Sequence, residues 1–536
     1  MAETIRRRPL SWPVAQAETL LDLRRRRGTA AVLVECVASL RRVVARLTRG
    51  LGRADRPPPS ETSFSICIAG AGLPDDLKAT TLASLRRQSH RRWRLADEVA
   101  TAGPAASSTD LVVLVTAGDV LHRDALAWLA AAADCTPEAD VFYTDEEQAQ
   151  ASGSWYEPFI KPDWAPELLL SQPYVLHCCC VRHELYRSED GLRSPSDEAG
   201  HYGVALRCCA AARCVSHVRR VLCRRPASTA LRSEAGLRAV AMTAEGLDPP
   251  AKAAHGTTAR TYRITRSLTG RPPVTLAVLT HDAIAAVDGR GTIPVLPNFL
   301  ESILKRSTYP DYRLLVVDDG DLSRASLDVV TRAGARRISY VPKTASAPFN
   351  FSSKVGFALG QVETEHFVLL NDDLEVIAPD WIEALMDYAV APDVGAVGAH
   401  LLFPDGRTQH AGVVAAGRDG PAHRLYGSGP GATDEHGRVD VVRDFSAVTA
   451  AVMASRLGVF REVGGFDEAF AHNYNDVDFC LRARKHGLRI VYTPFARLYH
   501  FENSSFGRRP PSRRELQLFY RRWGRWCFDD PYYVLR

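Results

Sequence analysis

The stretch Phe367-Val-Leu-Leu-Asn371-Asp372-Asp373 decides how this chain is read: an apolar run stops abruptly in an amide and two carboxylates. Four apolar residues before an acidic cluster predict a buried parallel strand that delivers its acids to the carboxyl edge of a sheet, where open α/β folds bind ligands. Oxygen ligands at such an edge suit Mg²⁺ or Mn²⁺ holding a diphosphate. On its own an acidic pair after a strand more often merely opens a turn, so the weight falls on the surroundings.

Upstream, Val274-Thr-Leu-Ala-Val-Leu279 and Tyr312-Arg-Leu-Leu-Val-Val317 read as further strands, the second ending in Asp318-Asp319-Gly320. Between them Leu296, Phe299, Leu300, Ile303 and Leu304 recur at the spacing of a helix with one apolar face. The same alternation starts earlier with the strand Phe64-Ser-Ile-Cys-Ile-Ala69, a helix from Leu77 to Leu85, the strand Leu111-Val-Val-Leu-Val115 and a helix from Asp124 to Ala133. Strands alternating with helices predict parallel pairing with crossover helices.

The two rounds form an internal repeat. Leu82-Ala-Ser-Leu-Arg-Arg-Gln-Ser-His-Arg-Arg-Trp-Arg resembles Leu300-Glu-Ser-Ile-Leu-Lys-Arg-Ser-Thr-Tyr-Pro-Asp-Tyr-Arg, and Val113-Leu-Val-Thr116-Ala117-Gly118 resembles Val368-Leu-Leu-Asn371-Asp372-Asp373. His201-Tyr-Gly203-Val-Ala-Leu-Arg207 lines up with Asp476-Val-Asp478-Phe-Cys-Leu-Arg482. The copies differ where chemistry would be: Thr116 and Gly118 stand for Asn371 and Asp373, and His201 and Gly203 stand for Asp476 and Asp478. Threonine and glycine cannot hold a divalent cation as carboxylates do, so the first copy is expected to be a non-catalytic structural or binding module. Its remaining acids, in Tyr143-Thr-Asp145-Glu146-Glu147, read as a solvated loop.

The 536 residues exceed one ordinary core, and 46% hydrophobic with 24% charged content is that of a soluble globular protein. The net charge of +5 is concentrated at the ends: Arg6 to Arg8, Arg24 to Arg27, Arg41, Arg42 and Arg46, then Arg508, Arg509, Arg513, Arg514, Arg521 and Arg522. Such ends could meet anionic lipid or remain solvated helical faces. No secretory signal and no apolar run of about 20 residues is present, which places the chain in the cytoplasm, at most peripheral at the inner face of the cytoplasmic membrane. The 12 cysteines lack zinc spacing and read as small buried hydrophobes.

More motifs follow in order: Thr275-Leu-Ala-Val-Leu-Thr-His281, Pro348-Phe-Asn-Phe-Ser352, His410-Ala-Gly-Val413, Gly464-Gly-Phe-Asp-Glu468, Asn475-Asp476-Val-Asp478-Phe-Cys-Leu-Arg482 and Tyr499-His500-Phe-Glu-Asn-Ser504. Together with the strand-end acids these make the second copy resemble a family 2 glycosyltransferase of the GT-A fold. The chain from about 64 to 536 is similar to the tandem, rhamnosyltransferase-like enzymes of that family that build O-antigen and other bacterial surface polysaccharides. The fold class this implies is α/β: two GT-A-like domains with mixed, mainly parallel sheets, plus a basic helical N-terminal segment. The expected division is 1–60 for that segment and a Pro-rich linker, 61–262 for the degenerate copy, 263–507 for the catalytic one and 508–536 for a basic, aromatic extension.

The resemblance implies an inverting transfer of sugar from a UDP-, dTDP- or GDP-linked donor to a glycan or polyprenyl-linked acceptor, with Mn²⁺ or Mg²⁺ and without nucleic acid. It implies donor-binding roles for Thr280, Asp318, Asp319, Asn371 and Asp372. Asp373 matches the last acid of the metal motif, and His500 a histidine that completes the metal shell; a core histidine is the plain alternative. Asp476 matches the general base, with Asn475 and Asp478 on the acceptor side; capping the helix that Gly487 ends is the alternative for Asp476 and Asp478. His410 and the stretch from Gly412 to Gly431 read either as a loop near the donor or as ordinary surface. Lys354 reads as solvated, or as reaching a phosphate. A catalytically inert scaffold or glycan-binding partner is the alternative to the enzyme.

Overall fold

The computed structural model describes residues 56–70, 73–96, 111–149, 156–189, 197–226, 233–268, 270–287, 291–342, 348–415, 420–432, 439–501 and 512–533. The basic N-terminal helix expected before the Pro57-Pro58-Pro59 linker lies outside them, as do Arg508 and Arg509.

The internal repeat is a repeat of topology. In the first sheet the strands run in the order Trp93–Leu95, Phe64–Ala69, Leu111–Thr116, Cys179–Arg182, Val141–Ala149, Val215–Arg225, Val120–Leu121. In the second the order is Tyr312–Asp318, Val274–Leu279, His366–Asn371, Val452–Arg456, Val394–Leu402, Arg489–His500, Leu374–Val376, with Arg336–Ser339 added at the first edge. Every step along the two paths has the same sense. Phe64–Ala69 pairs parallel with both neighbours, as does Val274–Leu279. Cys179–Arg182 and Val452–Arg456 are each antiparallel on both sides.

The parallel strands are apolar because both faces are covered. Val274, Leu276 and Val278 pack with Leu296, Phe299, Leu300 and Ile303 of the helix Val295–Arg306 and with the helix Trp381–Ala389. Their neighbours Ala277 and Leu279 face the other way, onto the helices Phe351–Leu359, Asn475–Lys485 and Arg513–Phe528. Period-two alternation thus serves two cores, one on each side of the sheet. Leu304 ends the predicted apolar stripe outside them, 42% exposed. The clustered cysteines Cys178, Cys179, Cys180, Cys208 and Cys209 are buried, as small apolar side chains would be.

The two sheets are joined by polar contacts as well as packing. The hairpin Ala251–His255/Tyr262–Arg266 carries Tyr262 and Ile264 into the first core, while the Arg266 N–H donates to Asp387 Oδ1 of the second sheet's helix at 3.0 Å. Arg489 donates to Asp393, to Asp444 and, across the domains, to Glu167. Asp387 is buried, and burial pushes its carboxyl up to about 7, with Arg263 and Arg266 pulling it down and Glu383 pushing it further up. The unfolded carboxyl ionises near 4, so native Asp387 keeps its proton while the unfolded chain loses it, and stability from this group falls as pH rises from about 4 to about 7. We expect Asp387→Asn to be more stable than the native protein at pH 8, by on the order of 1–4 kcal/mol, and to lose that advantage near pH 4. Equal melting temperatures at pH 8 would contradict this.

Candidate active site

The second sheet brings three strand ends together. Leu279 lies level with Val317 on one side and Asn371 on the other, so Thr280, Asp318 and Asp372 leave the sheet side by side at its carboxyl edge. Thr280 Oγ1 donates to Asp372 Oδ2 at 2.6 Å, and the His281 N–H approaches the same oxygen at 3.3 Å. Burial, then the charge of Asp373, pushes the Asp372 carboxyl up to about 6.

Lys354 is neither solvated nor turned outward. It rises from the helix Phe351–Leu359, is 2% exposed, and donates from Nζ to Thr280 O at 2.7 Å and Asp319 Oδ1 at 2.8 Å. It therefore braces two strand ends. Asp318 is fully buried, and its carboxylate accepts from Arg337 Nε and Nη2, Ser339 Oγ and the Gly320 N–H. Burial would raise its ionisation point, but the hydrogen bonds from Arg337 and Gly320 outweigh this and hold it below the usual range. Four donors fill the acceptor sites of a carboxylate, so a ligand reaching Asp318 must displace one of them or bind through Arg337.

Asp373 and His500 meet because Leu374–Val376 pairs antiparallel with the end of Arg489–His500, in the register Leu374 with His500. His500 Nε2 lies 3.2 Å from Asp373 Oδ1, and Asn371 Nδ2 is 3.5 Å from the same nitrogen. Among the described residues no three His, Cys, Asp or Glu side chains converge into a metal cage. One carboxylate and one imidazole are nevertheless the set that fits Mn²⁺ or Mg²⁺ when substrate phosphates and water supply the remaining positions.

Asp476 opens the helix Asn475–Lys485, and the residue before that helix, Tyr474, has φ +64°. Asp476 Oδ1 accepts the Val477 N–H at 2.8 Å and Oδ2 the Ala450 N–H at 3.0 Å. Ala451, the next residue, accepts the Asn371 N–H through its carbonyl at 3.1 Å. Two consecutive alanines thus tie Asp476 and the Asn371-Asp372-Asp373 motif into one frame. The helix ends as its sequence predicts: Gly487 has φ +81°, and the Leu488 N–H returns to Ala483 O at 3.1 Å.

Two expected acceptor-side residues are structural instead. Asp478 is fully buried, taking Arg482 Nε on one oxygen and both Arg522 Nη1 and Trp523 Nε1 on the other, each at 2.8 Å. Asn475 is 4% exposed and receives the Asp476 N–H. His410 is not on a surface loop: it is a fully buried end of the strand Thr408–His410, 3.2 Å from His423 Nδ1, and burial keeps its ring neutral. Gly412 beside it has φ +90°, and a Cβ there would meet the Phe445 ring at 2.4 Å.

The first sheet fills the matching edge with fixed charge. Asp145 and Glu146 lie buried in the strand Val141–Ala149, contrary to the solvated loop expected of them. Glu146 pairs with Lys161 Nζ at 2.8 Å and Arg225 Nε at 2.7 Å; these cations and His177 outweigh the cost of burial and hold its carboxyl at about 2. Asp119 takes His177 Nδ1, and Asp145 takes His217. The strand that presents His500 in the second sheet presents Arg224 and Arg225 in the first. Guanidinium and ammonium groups thus occupy the edge where the second sheet gathers acids. Lys161→Ala should leave Glu146 short of a partner and destabilise the protein by about 3–5 kcal/mol in denaturant titration; a cost below about 1 kcal/mol would refute this reading of the pair.

Residues 272–528 match the family model described as "Glycosyltransferase like family 2". This second domain belongs to glycosyltransferase family 2. The two mixed, partly parallel sheets with helices on their faces are the α/β architecture expected from the sequence. The chain as a whole is 34% identical over 449 residues to an uncharacterized protein, y4gI, of Sinorhizobium fredii, covering 79% of this chain and 48% of that protein. It is 32% identical over 447 residues to the O-antigen biosynthesis protein RfbC of Myxococcus xanthus, covering 80% and 34% respectively. It is 27% identical over 238 residues to an N-acetylglucosaminyl-diphospho-decaprenol L-rhamnosyltransferase of Mycobacterium tuberculosis, covering 41% of this chain and 76% of that enzyme. The chain therefore spans half or less of the first two relatives. No helix among the described residues is long and apolar enough to cross a membrane.

Proposed function

We propose that the protein transfers a sugar from a nucleotide-diphosphate donor to a glycan or lipid-linked acceptor in the synthesis of a bacterial surface polysaccharide. The observation that carries this reading is the frame through Ala450 and Ala451, which sets a half-exposed carboxylate beside the acid-rich strand end. Family membership and the relatives concerned with O-antigen and rhamnosyl transfer support the choice of substrates.

In this reading Asp373 and His500 hold Mn²⁺ or Mg²⁺, which when bound neutralises charge on the donor's diphosphate. Asn371 and Asp372 stand beside the diphosphate, and Thr280 holds Asp372 in place. Arg337, anchored by Asp318, faces the base or ribose, with Asp319 fixed by Lys354 next to it. Asp476 accepts the proton of the acceptor hydroxyl as it attacks the face opposite the leaving diphosphate, giving inversion. Two backbone N–H groups aim its oxygens, and each keeps a lone pair for that proton. The first domain supplies no group that touches donor or acceptor.

Calorimetric titration of UDP-, dTDP- and GDP-sugars with and without Mn²⁺, followed by assay of donor hydrolysis, tests this. One donor class should bind in a metal-dependent way and be hydrolysed slowly without acceptor. If no nucleotide sugar binds under either condition, the inert scaffold is the correct reading.

A further inference from the structure

The helix Arg513–Phe528 lies against the helix that starts at Asp476, and its contacts concentrate on the turn before the carboxylate. Glu515, 4% exposed, accepts the His472 N–H at 2.8 Å on one oxygen and Asn473 Nδ2 at 3.0 Å on the other. Phe519 packs its ring 5.3 Å from that of Tyr474. Tyr474 is the residue with φ +64°, a conformation that costs a bulky side chain about 1–2 kcal/mol and persists only where its surroundings enforce it. One turn further on, Trp523 and Arg522 fix Asp478. Three successive layers of one helix thus hold the turn, the residue before the helix and Asp478 in its first turn.

The far end of this helix reaches the other domain. Asp529 pairs with Arg219 of the first sheet, Pro531 O accepts the Asp163 N–H at 2.7 Å, and Tyr532 is buried in the first domain's core cluster. Asp163 is itself held by His217 and Arg219. Asp530, between these contacts, accepts the Ala415 N–H of the second domain at 2.6 Å. The tail is therefore anchored in both domains at once.

We propose that Glu515 is a positioning residue for Asp476, and that the first domain serves the reaction by anchoring the helix that carries it. This rests on the reading of Asp476 as the base. Glu515 and Phe519 hold residues 472–474 in the strained turn that sets the direction of Asp476. Anchoring at Asp163 and Arg219 limits how far the helix can slide. A copy that lost its own acids would thereby retain a mechanical part in the neighbour's chemistry.

The test uses the full chain with Glu515→Ala, Glu515→Gln and Arg219→Gln. Two quantities are read: donor KM and kcat on the donor identified by titration, and amide exchange over residues 470–478 followed by mass spectrometry. Glu515→Ala should lower kcat about 10-fold to 100-fold with donor KM changed less than about twofold, since a small misplacement of a reacting group has that effect. Glu515→Gln, which keeps an acceptor for the His472 N–H, should recover most of the loss. Arg219→Gln should lower kcat by about 2-fold to 5-fold. Both Glu515→Ala and Arg219→Gln should speed exchange over 470–478 while residues 274–279 stay protected. Unchanged exchange over 470–478 in both variants would overturn the proposal, as would a kcat that falls only with the folded fraction. An active Asp476→Asn together with faster exchange over 470–478 refutes the base and leaves the clasp standing; an inactive Asp476→Asn with a fully active Glu515→Ala refutes the clasp alone.

Discussion

Asp476→Asn should bind the nucleotide-sugar donor as the native protein does and transfer almost none of it. The amide keeps an oxygen for the Ala450 N–H, so the helix start stays in place. It cannot take a proton at neutral pH, and loss of a positioned general base lowers kcat by about 10²-fold to 10⁴-fold. Donor affinity should stay within about twofold, because no donor contact is assigned to this side chain; a raised KM with kcat unchanged would mean that only binding was disturbed. A variant with native kcat would leave helix capping as the whole role of Asp476.

Asp373→Ala should show the complementary defect. Removing one of two side-chain donors should weaken Mn²⁺-dependent donor binding by about 100-fold or more and take turnover with it. The melting temperature should hold or rise, because Asp373 is the charge that, after burial, pushes the Asp372 carboxyl up, and its removal relieves that repulsion. Calorimetry with Mn²⁺ and donor, beside a thermal melt, separates these outcomes. Metal-independent donor binding that survives the substitution would refute the assignment of Asp373 and His500 to the cation. The opposite expectations for Asp476 and Asp373 make the pair of variants more informative than either alone.

The fold was legible because it is written in apolar periodicity. Leu111 to Val115 is an unbroken apolar run and Val274 to Leu279 is interrupted only by Thr275; both are buried on both faces, and their counterparts follow at matching places in each copy. The cluster of acids at the carboxyl edge was legible for a related reason: an acid directly after such a run has nowhere to go but the edge. Charged residues within elements were misread, because the sequence displays the charge and hides the partner. Glu146 looks solvated until Arg225, 79 residues on, is folded against it. Lys354 looks solvated until Thr280 and Asp319 are seen around it. Asp478 seemed to share the duty of Asp476, two residues away, yet a helix turns those positions to different sides and sends Asp478 into the core under Trp523. Ala450 and Ala451 had no signal at all, since they act through the backbone. Glu515 could have been noticed only as an acid three residues after Ser512, which caps the helix and accepts the Glu515 N–H.

The buried tail sets an order of events during synthesis. The first domain's core is complete in sequence at Ile264, long before Tyr532 is made, and its surface at Asp163 then waits for about 270 further residues to be added. At about 5–20 residues per second that is roughly 13 to 54 seconds during which an apolar socket stands open beside the ribosome. The His217, Asp163 and Arg219 cluster lines the mouth of that socket with charge, which keeps it wetted and discourages premature partners until its own plug arrives.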